Sequence, residues 1–281
     1  KSYSVSDYPV GNMPKNTQKL WYRSPAVQWD HALPVGNGRL GAVVFGGVGR
    51  ERIQLNEDTL WAGSPRATDN PDALNHLGTV RELLFEGNLA RATEVAEANL
   101  LGTPKTIKPF QALGDLNLHF FEHEKVDDYR FELDLDTAVV STSYRCNGSL
   151  FHREVFASYP DQLLALRLSC DKPGGLTFEV SLDREADSET EVVGVTGLAM
   201  KCHLEEGAGL LCWSELRLVS EGGEVTRNGN MLHVCGADRV TMLFSSATNY
   251  RDPDPRAVCG ATLDAAQKKK YMEILADHLV D

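Results

Sequence analysis

From Gly114 to Ala247, apolar residues recur at every second position in runs spaced about ten residues apart, and this rhythm constrains the fold more than any other feature. Leu116, Leu118 and Phe120 alternate with Asp115, Asn117 and His119; Phe131, Leu133 and Leu135 alternate with Glu132, Asp134 and Asp136. Successive strand side chains point to opposite faces, so the pattern describes strands with one wet and one dry face. Further runs fall at 139–145, 152–158, 163–169, 176–182, 210–220, 231–234 and 240–247, with Gly, Pro or Asp between them. No helical text interrupts them. The expectation is mainly β, a large antiparallel sandwich rather than a parallel α/β sheet.

The first hundred residues are more varied. Lys1–Lys19 is polar and punctuated by Pro and Gly, and Leu20-Trp21-Tyr22 is expected to begin something buried. Gly36, Gly38 and Gly41 match the dinucleotide fingerprint G-x-G-x-x-G. That fingerprint needs a helix after it to carry the pyrophosphate. Here Ala42-Val-Val-Phe45 and Gly46-Gly47 follow, which read as a strand and a turn. The second strand, 51–55, places Ile53 and Leu55 opposite in sense to Arg52 and Gln54. A hairpin is therefore expected, with no nucleotide site and no other cofactor.

Asn70-Pro71 opens a helical insertion near residues 70–101, broken at Gly87-Asn88 into two helices. After the stiff linker Arg251-Asp-Pro-Asp-Pro255, Thr262–Val280 reads as one amphipathic helix with Tyr271, Ile274, Leu275, His278 and Leu279 on a single face. That face is expected to lean on a neighbour outside this sequence rather than on the sandwich. The division expected is 1–250 for the sandwich and 251–281 for the start of a helical linker.

With 28 Lys+Arg against 40 Asp+Glu, the formal charge is −12, which disfavours nucleic acid and anionic membranes as partners but not neutral sugars. No run approaches the ~20 apolar residues of a membrane span, and Lys1–Lys19 does not read as a basic-then-apolar signal peptide, which a mature chain would already have lost. The six cysteines form no C-x-x-C pair and no zinc spacing, so no metal is expected. Cys202 and Cys212 would face each other across a hairpin turning at Gly207. Two reduced thiols are expected there in preference to a disulfide.

Three groups could carry chemistry. Asn56-Glu57-Asp58 ends a strand, but adjacent carboxylates point to opposite faces and do not suit one shared substrate. Turn formation is the plainer role. Of Trp21, Trp29, Trp61 and Trp213, core packing is expected for most, and Trp61, followed by Gly63 and Pro65 in a loop, is the one expected to be exposed for stacking on a sugar. The eight histidines are scattered, and structural or surface roles are expected for all. Asn147-Gly148-Ser149 matches a glycosylation acceptor.

Taken together, Ala32-Leu-Pro-Val-Gly-Asn-Gly-Arg-Leu-Gly-Ala-Val-Val-Phe-Gly-Gly47 and Arg52-Ile-Gln-Leu-Asn-Glu-Asp-Thr-Leu-Trp61 resemble the opening of glycoside hydrolase family 95, the α-L-fucosidases and their α-L-galactoside-cleaving relatives. The resemblance continues at Gln111-Ala-Leu-Gly-Asp-Leu116, Asp128-Tyr-Arg-Phe-Glu-Leu-Asp-Leu-Asp-Thr-Ala138, Arg153-Glu-Val-Phe-Ala-Ser-Tyr-Pro-Asp161 and Ala247-Thr-Asn-Tyr250. It implies the N-terminal β-sandwich of an inverting enzyme, with a helical linker leading to an (α/α)₆ barrel that holds the catalytic acid and base. No catalytic residue is therefore assigned to this chain. Its expected partners are that barrel and, through it, a fucosylated or galactosylated glycan, in a periplasmic or extracellular setting. Asn37, Asn56, Glu57, Asp58 and Trp61 are the candidates for the domain interface or sugar rim. The alternative reading is a stand-alone carbohydrate-binding module.

Overall fold

The computed structural model describes residues 18–121, 123 and 125–281. The polar, Pro/Gly-punctuated segment expected over Lys1–Lys19 lies, up to residue 17, outside them. The described residues form two compact units: one contains the residues up to Leu60 together with Gln111–Asp281, the other Trp61–Phe110.

The first unit is a two-sheet antiparallel sandwich, as the alternation predicts. Its nine-stranded sheet runs in the order β1 (Lys19–Tyr22), β6 (Asp127–Asp134), β7 (Val139–Cys146), β8 (Ser149–Ser158), β9 (Leu163–Cys170), β16 (Arg239–Thr248), β13 (Leu211–Glu221), β12 (Gly197–His203) and β11 (Ser188–Val193). The seven-stranded sheet runs β14 (Glu224–Asn228), β15 (Met231–Ala237), β10 (Leu176–Asp183), β5 (Gly114–Phe120), β4 (Arg50–Glu57), β3 (Leu40–Val44) and β2 (Leu33–Gly36). The inward residues of both sheets form one continuous core, with Phe131, Tyr144, Phe178 and Phe244 fully buried in it. Alternation made strands such as β5, β7 and β10 readable, and continuous apolar runs marked β9 and β16, which are buried on both faces. Strands β1, β2, β11 and β14 were not among the expected strands, and β12 was anticipated only as the arm of the Cys202–Cys212 hairpin.

Local chemistry sets the turns. Asn147 and Gly148 both have positive φ and join β7 to β8, an Asn-Gly hairpin on the exposed surface. Gly46 and Gly47 allow a closer approach than any side chain would. A Cβ on Gly46 would lie 2.6 Å from Tyr129 Oη, and one on Gly47 would lie 1.8 Å from the Arg50 carbonyl oxygen.

Three expectations need correction. Leu20, Trp21 and Tyr22 lie on β1, which among the described residues pairs with β6 alone, and are 45%, 47% and 40% exposed. Cys202 and Cys212 are directly opposed in the β12–β13 ladder and are joined as a disulfide, where two thiols were expected. Facing positions in adjacent strands bring the two Cβ atoms within bridging reach.

The third correction concerns the C-terminal helices. There are two, α3 (Pro255–Ala266) and α4 (Tyr271–Val280), and both dock on the outer face of the nine-stranded sheet. Leu263, Tyr271, Ile274 and Leu275 are buried there against Phe156, Leu163, Ala165 and Leu243. The apolar face is thus satisfied within the unit, because these outward strand positions carry apolar side chains where the solvent face was expected. The helix breaks because Glu273 accepts a hydrogen bond from the Lys270 N–H at 2.6 Å and starts a new helix. Lys269 pins the break, pairing with Asp161 at 2.6 Å and Asp277 at 2.8 Å.

In the second unit, α1 (Ala73–Phe85) and α2 (Leu89–Asn99) form the expected helical hairpin. Gly87, at φ +77°, turns the chain between them, and Asn88 caps α2 through the Arg91 N–H.

Candidate functional site

The glycine fingerprint is a hairpin. Gly36 and Gly41 pair across β2 and β3, and Gly38 sits in the turn at φ +85°. Asn37 holds this turn from within. Its Oδ1 accepts from the Arg39 and Leu40 N–H groups at 3.1 and 2.8 Å, and its Nδ2 donates to the Ser158 carbonyl at 2.8 Å. One side chain therefore closes a turn in the seven-stranded sheet and ties it to the end of β8 in the other sheet.

Arg39, beside it, extends the same connection. Its Nε donates to Gln162 Oε1 at 2.9 Å, Nη2 to the Gln162 carbonyl at 2.9 Å, and Nη1 to the Ser246 carbonyl. Burial lowers its pKa from the ordinary value, against the nearby charge of Glu57.

Glu57, at the end of β4, is 1% exposed. It accepts from the Thr59 N–H at 2.7 Å and the Thr59 hydroxyl at 2.6 Å, while Thr59 also bonds the Thr248 hydroxyl. Arg39 and Arg251 each come within 4.0 Å of Glu57. Burial raises the Glu57 carboxyl above the usual range, and the Thr59 hydrogen bonds oppose that rise. Asp58 faces outward and takes a bidentate contact from Arg251, at 2.9 and 2.6 Å. The two carboxylates thus point to different sides, as strand geometry requires, and both serve arginines of the same unit. Asn56 is half-buried beside them.

Trp61 belongs to the second unit. It is 43% exposed and meets Phe110 edge-on, with ring centroids 5.4 Å apart. Trp21 and Trp29 are also exposed, contrary to the expected core packing. Arg23 and Arg130 lie over the Trp21 ring at 5.5 and 5.0 Å. Only Trp213 of the four is buried; its Nε1 donates to Glu215 at 3.4 Å, and Arg256 covers its ring.

A second network escaped the sequence reading. Arg153 is buried on the inner face of β8 and donates to Glu51 at 3.3 Å, to the Gly47 and Val48 carbonyls at 2.5 and 2.7 Å, and to Tyr144 Oη at 2.6 Å. Glu51 in turn accepts from the Gly46 N–H at 2.9 Å, and Tyr129 donates to the Gly46 carbonyl at 2.6 Å. His123 Nδ1 lies 3.0 Å from Tyr144 Oη. Burial pushes the Glu51 carboxyl up to about 7 and the His123 imidazole down to about 4. Register was the available signal: Glu51 shares the inward parity of Ile53 and Leu55, and Arg153 that of Phe151 and Val155.

Comparison with known proteins bears on the source of this domain. The model of the glycosyl hydrolase family 65 N-terminal domain matches residues 20–253. The chain belongs to that family. This glycosyl hydrolase N-terminal domain is 35% identical to "Alpha-L-fucosidase 2" of Arabidopsis thaliana over 94% of its own length and 35% of the relative's. It is 26% identical to "Probable alpha-fucosidase A" of Aspergillus niger over 94% of its length and 36% of that protein's. The domain therefore spans about a third of the length of these relatives. A solved structure assigned as a kojibiose phosphorylase of the human microbiome shows a distant likeness, with a TM-score of 0.48 and 10% identity over 94% of this chain and 37% of that one. The matching family model carries the number 65 where the motifs resemble family 95; the two agree on a glycoside hydrolase N-terminal domain.

Proposed function

We propose that the chain is the non-catalytic N-terminal sandwich of an inverting fucosidase of the family 95 kind, acting on terminal α-L-fucosyl or α-L-galactosyl residues. In this reading α3 and α4 begin the linker toward a helical barrel, and the polar edge at Asn37, Glu57 and Asp58 stiffens the face that the barrel meets. One observation carries it: the motif carboxylates are committed to partners inside the domain, Glu57 to Thr59 and Asp58 to Arg251. A glycosidase acid or base must instead present its carboxyl to the bond being cut, with a second carboxyl ~6.5–9.5 Å away in inverting enzymes. The fucosidase names of the relatives point to the same class of parent enzyme.

The test is fucose release from 2′-fucosyllactose by purified 1–281 beside the protein encoded by the full reading frame. Release only by the longer protein supports the proposal, and comparable release by 1–281 contradicts it. The exposed Trp61–Phe110 pair favours a second reading, a carbohydrate-binding module. Saturable glycan binding that vanishes in Trp61→Ala would support that reading.

A further inference from the structure

We infer that the outer face of the nine-stranded sheet carries a cleft that binds one neutral sugar ring, on residues outside the polar edge. A cleft of about 190 Å³ opens between α4 and the outward side chains of β6, β7 and β8. Its floor is a cross-strand grid: Ser141 stands opposite Glu154 and Ser143 opposite His152, while Glu132 stands opposite Ser141 on the other side. Adjacent strands lie about 4.8 Å apart, so Glu132 and Glu154 flank the Ser141 hydroxyl across about 10 Å. Leu275 and Leu279 of α4 form an apolar wall.

The side chains of this floor are held in place. Lys19 pairs with Glu132 at 3.0 Å and with Asp134 at 3.3 Å, and Arg130 also contacts Glu132. Tyr271 donates to Glu154 at 2.8 Å. His152 Nε2 is buried 3.4 Å from Glu154 Oε1 without a hydrogen bond. The chemistry selects the ligand. An anion would meet three carboxylates, and a cation would compete with Lys19 and Arg130 for them. Hydroxyl groups donate to carboxylates and exchange hydrogen bonds with serines while adding no charge. An apolar wall beside such groups suits the C–H face of a sugar ring, as in small-molecule sites that combine apolar lining with a few fixed polar groups.

This inference goes beyond the proposed function and holds with or without a barrel. L-fucose and D-galactose would be titrated separately into 1–281 while backbone amide chemical shifts are followed. The expected result is saturable shifts centred on 141–143 and 152–154 with at least one sugar. Ser143→Leu, which fills the floor, and Glu132→Gln, which leaves its shape intact, should each weaken binding by about tenfold or more. Trp61→Ala should leave it unchanged. The inference is overturned if neither sugar saturates, if the shifts map to Trp61 and vanish in Trp61→Ala, or if a folded Glu132→Gln protein binds as tightly as the parent.

Discussion

Arg153 of the nine-stranded sheet meets Glu51 of the seven-stranded sheet at 3.3 Å, with both side chains buried. Arg153 also stacks over the Phe120 ring at 4.2 Å and donates to two carbonyls of the Gly46–Gly49 turn. An ion pair taken out of water must recover its desolvation cost through such added contacts. Here they fix how the turn of one sheet sits on the strands of the other.

This burial has a pH signature. The folded Glu51 carboxyl sits at about 7, against 4.5 for an ordinary one. Between those values the folded state binds more protons than the unfolded chain, so the Glu51 contribution to stability falls as pH rises from about 4.5 to 7. His123, lowered from 6.5 to about 4, acts oppositely, adding stability as pH rises through about 4 to 6.5. Glu51→Gln removes only the falling component. Urea unfolding at pH 5 and pH 7 should show a larger gain toward pH 7 in the variant than in the parent. Equal gains would contradict the assignment.

The turn glycines should separate in sign from a helix glycine. Gly47→Ala places a Cβ 1.8 Å from the Arg50 carbonyl oxygen, so the backbone must move, and a loss of about 1–3 kcal/mol or more is expected. Gly260 lies in α3 with nothing within 4 Å of its would-be Cβ. Gly260→Ala should stabilise by about 0.4–1 kcal/mol. Equilibrium unfolding of both variants checks the contrast.

Docking of α4 on its own sheet predicts a large effect from its buried face. Ile274 is 1% exposed, and Ile274→Ala should cost about 2–5 kcal/mol in unfolding experiments on 1–281 alone. An unchanged midpoint would mean that the helix seeks another surface.

Much of the sandwich was legible because half-buried strands write their two faces directly into the sequence. The C-terminal break was not, since Gln267-Lys268-Lys269-Lys270 contains neither Gly nor Pro and is compatible with the exposed face of a continuous helix. The candidate site was legible as text but not as geometry. Asn37, Glu57 and Asp58 stood out as motif text, whereas the residues that complete their network, Ser158 and Gln162 in one segment and Thr248 and Arg251 in another, are distant in sequence. Local periodicity records which face a residue occupies and carries no record of which distant residue it meets.

The disulfide makes a counting prediction. Under denaturing conditions without reductant, alkylation and mass spectrometry should label four cysteines, Cys146, Cys170, Cys235 and Cys259, and all six after reduction. For a sequence separation of 10, chain entropy puts the loss on reduction at roughly 2–3 kcal/mol.

Whether the polar edge holds the domain or acts on substrate is decided most directly by Glu57→Gln in the full-length protein, with kcat on 2′-fucosyllactose and Tm measured together. A holding role predicts a lower Tm and an unchanged kcat well below it. A kcat reduced by about a hundredfold or more at unchanged Tm would make Glu57 a catalytic acid or base and contradict it.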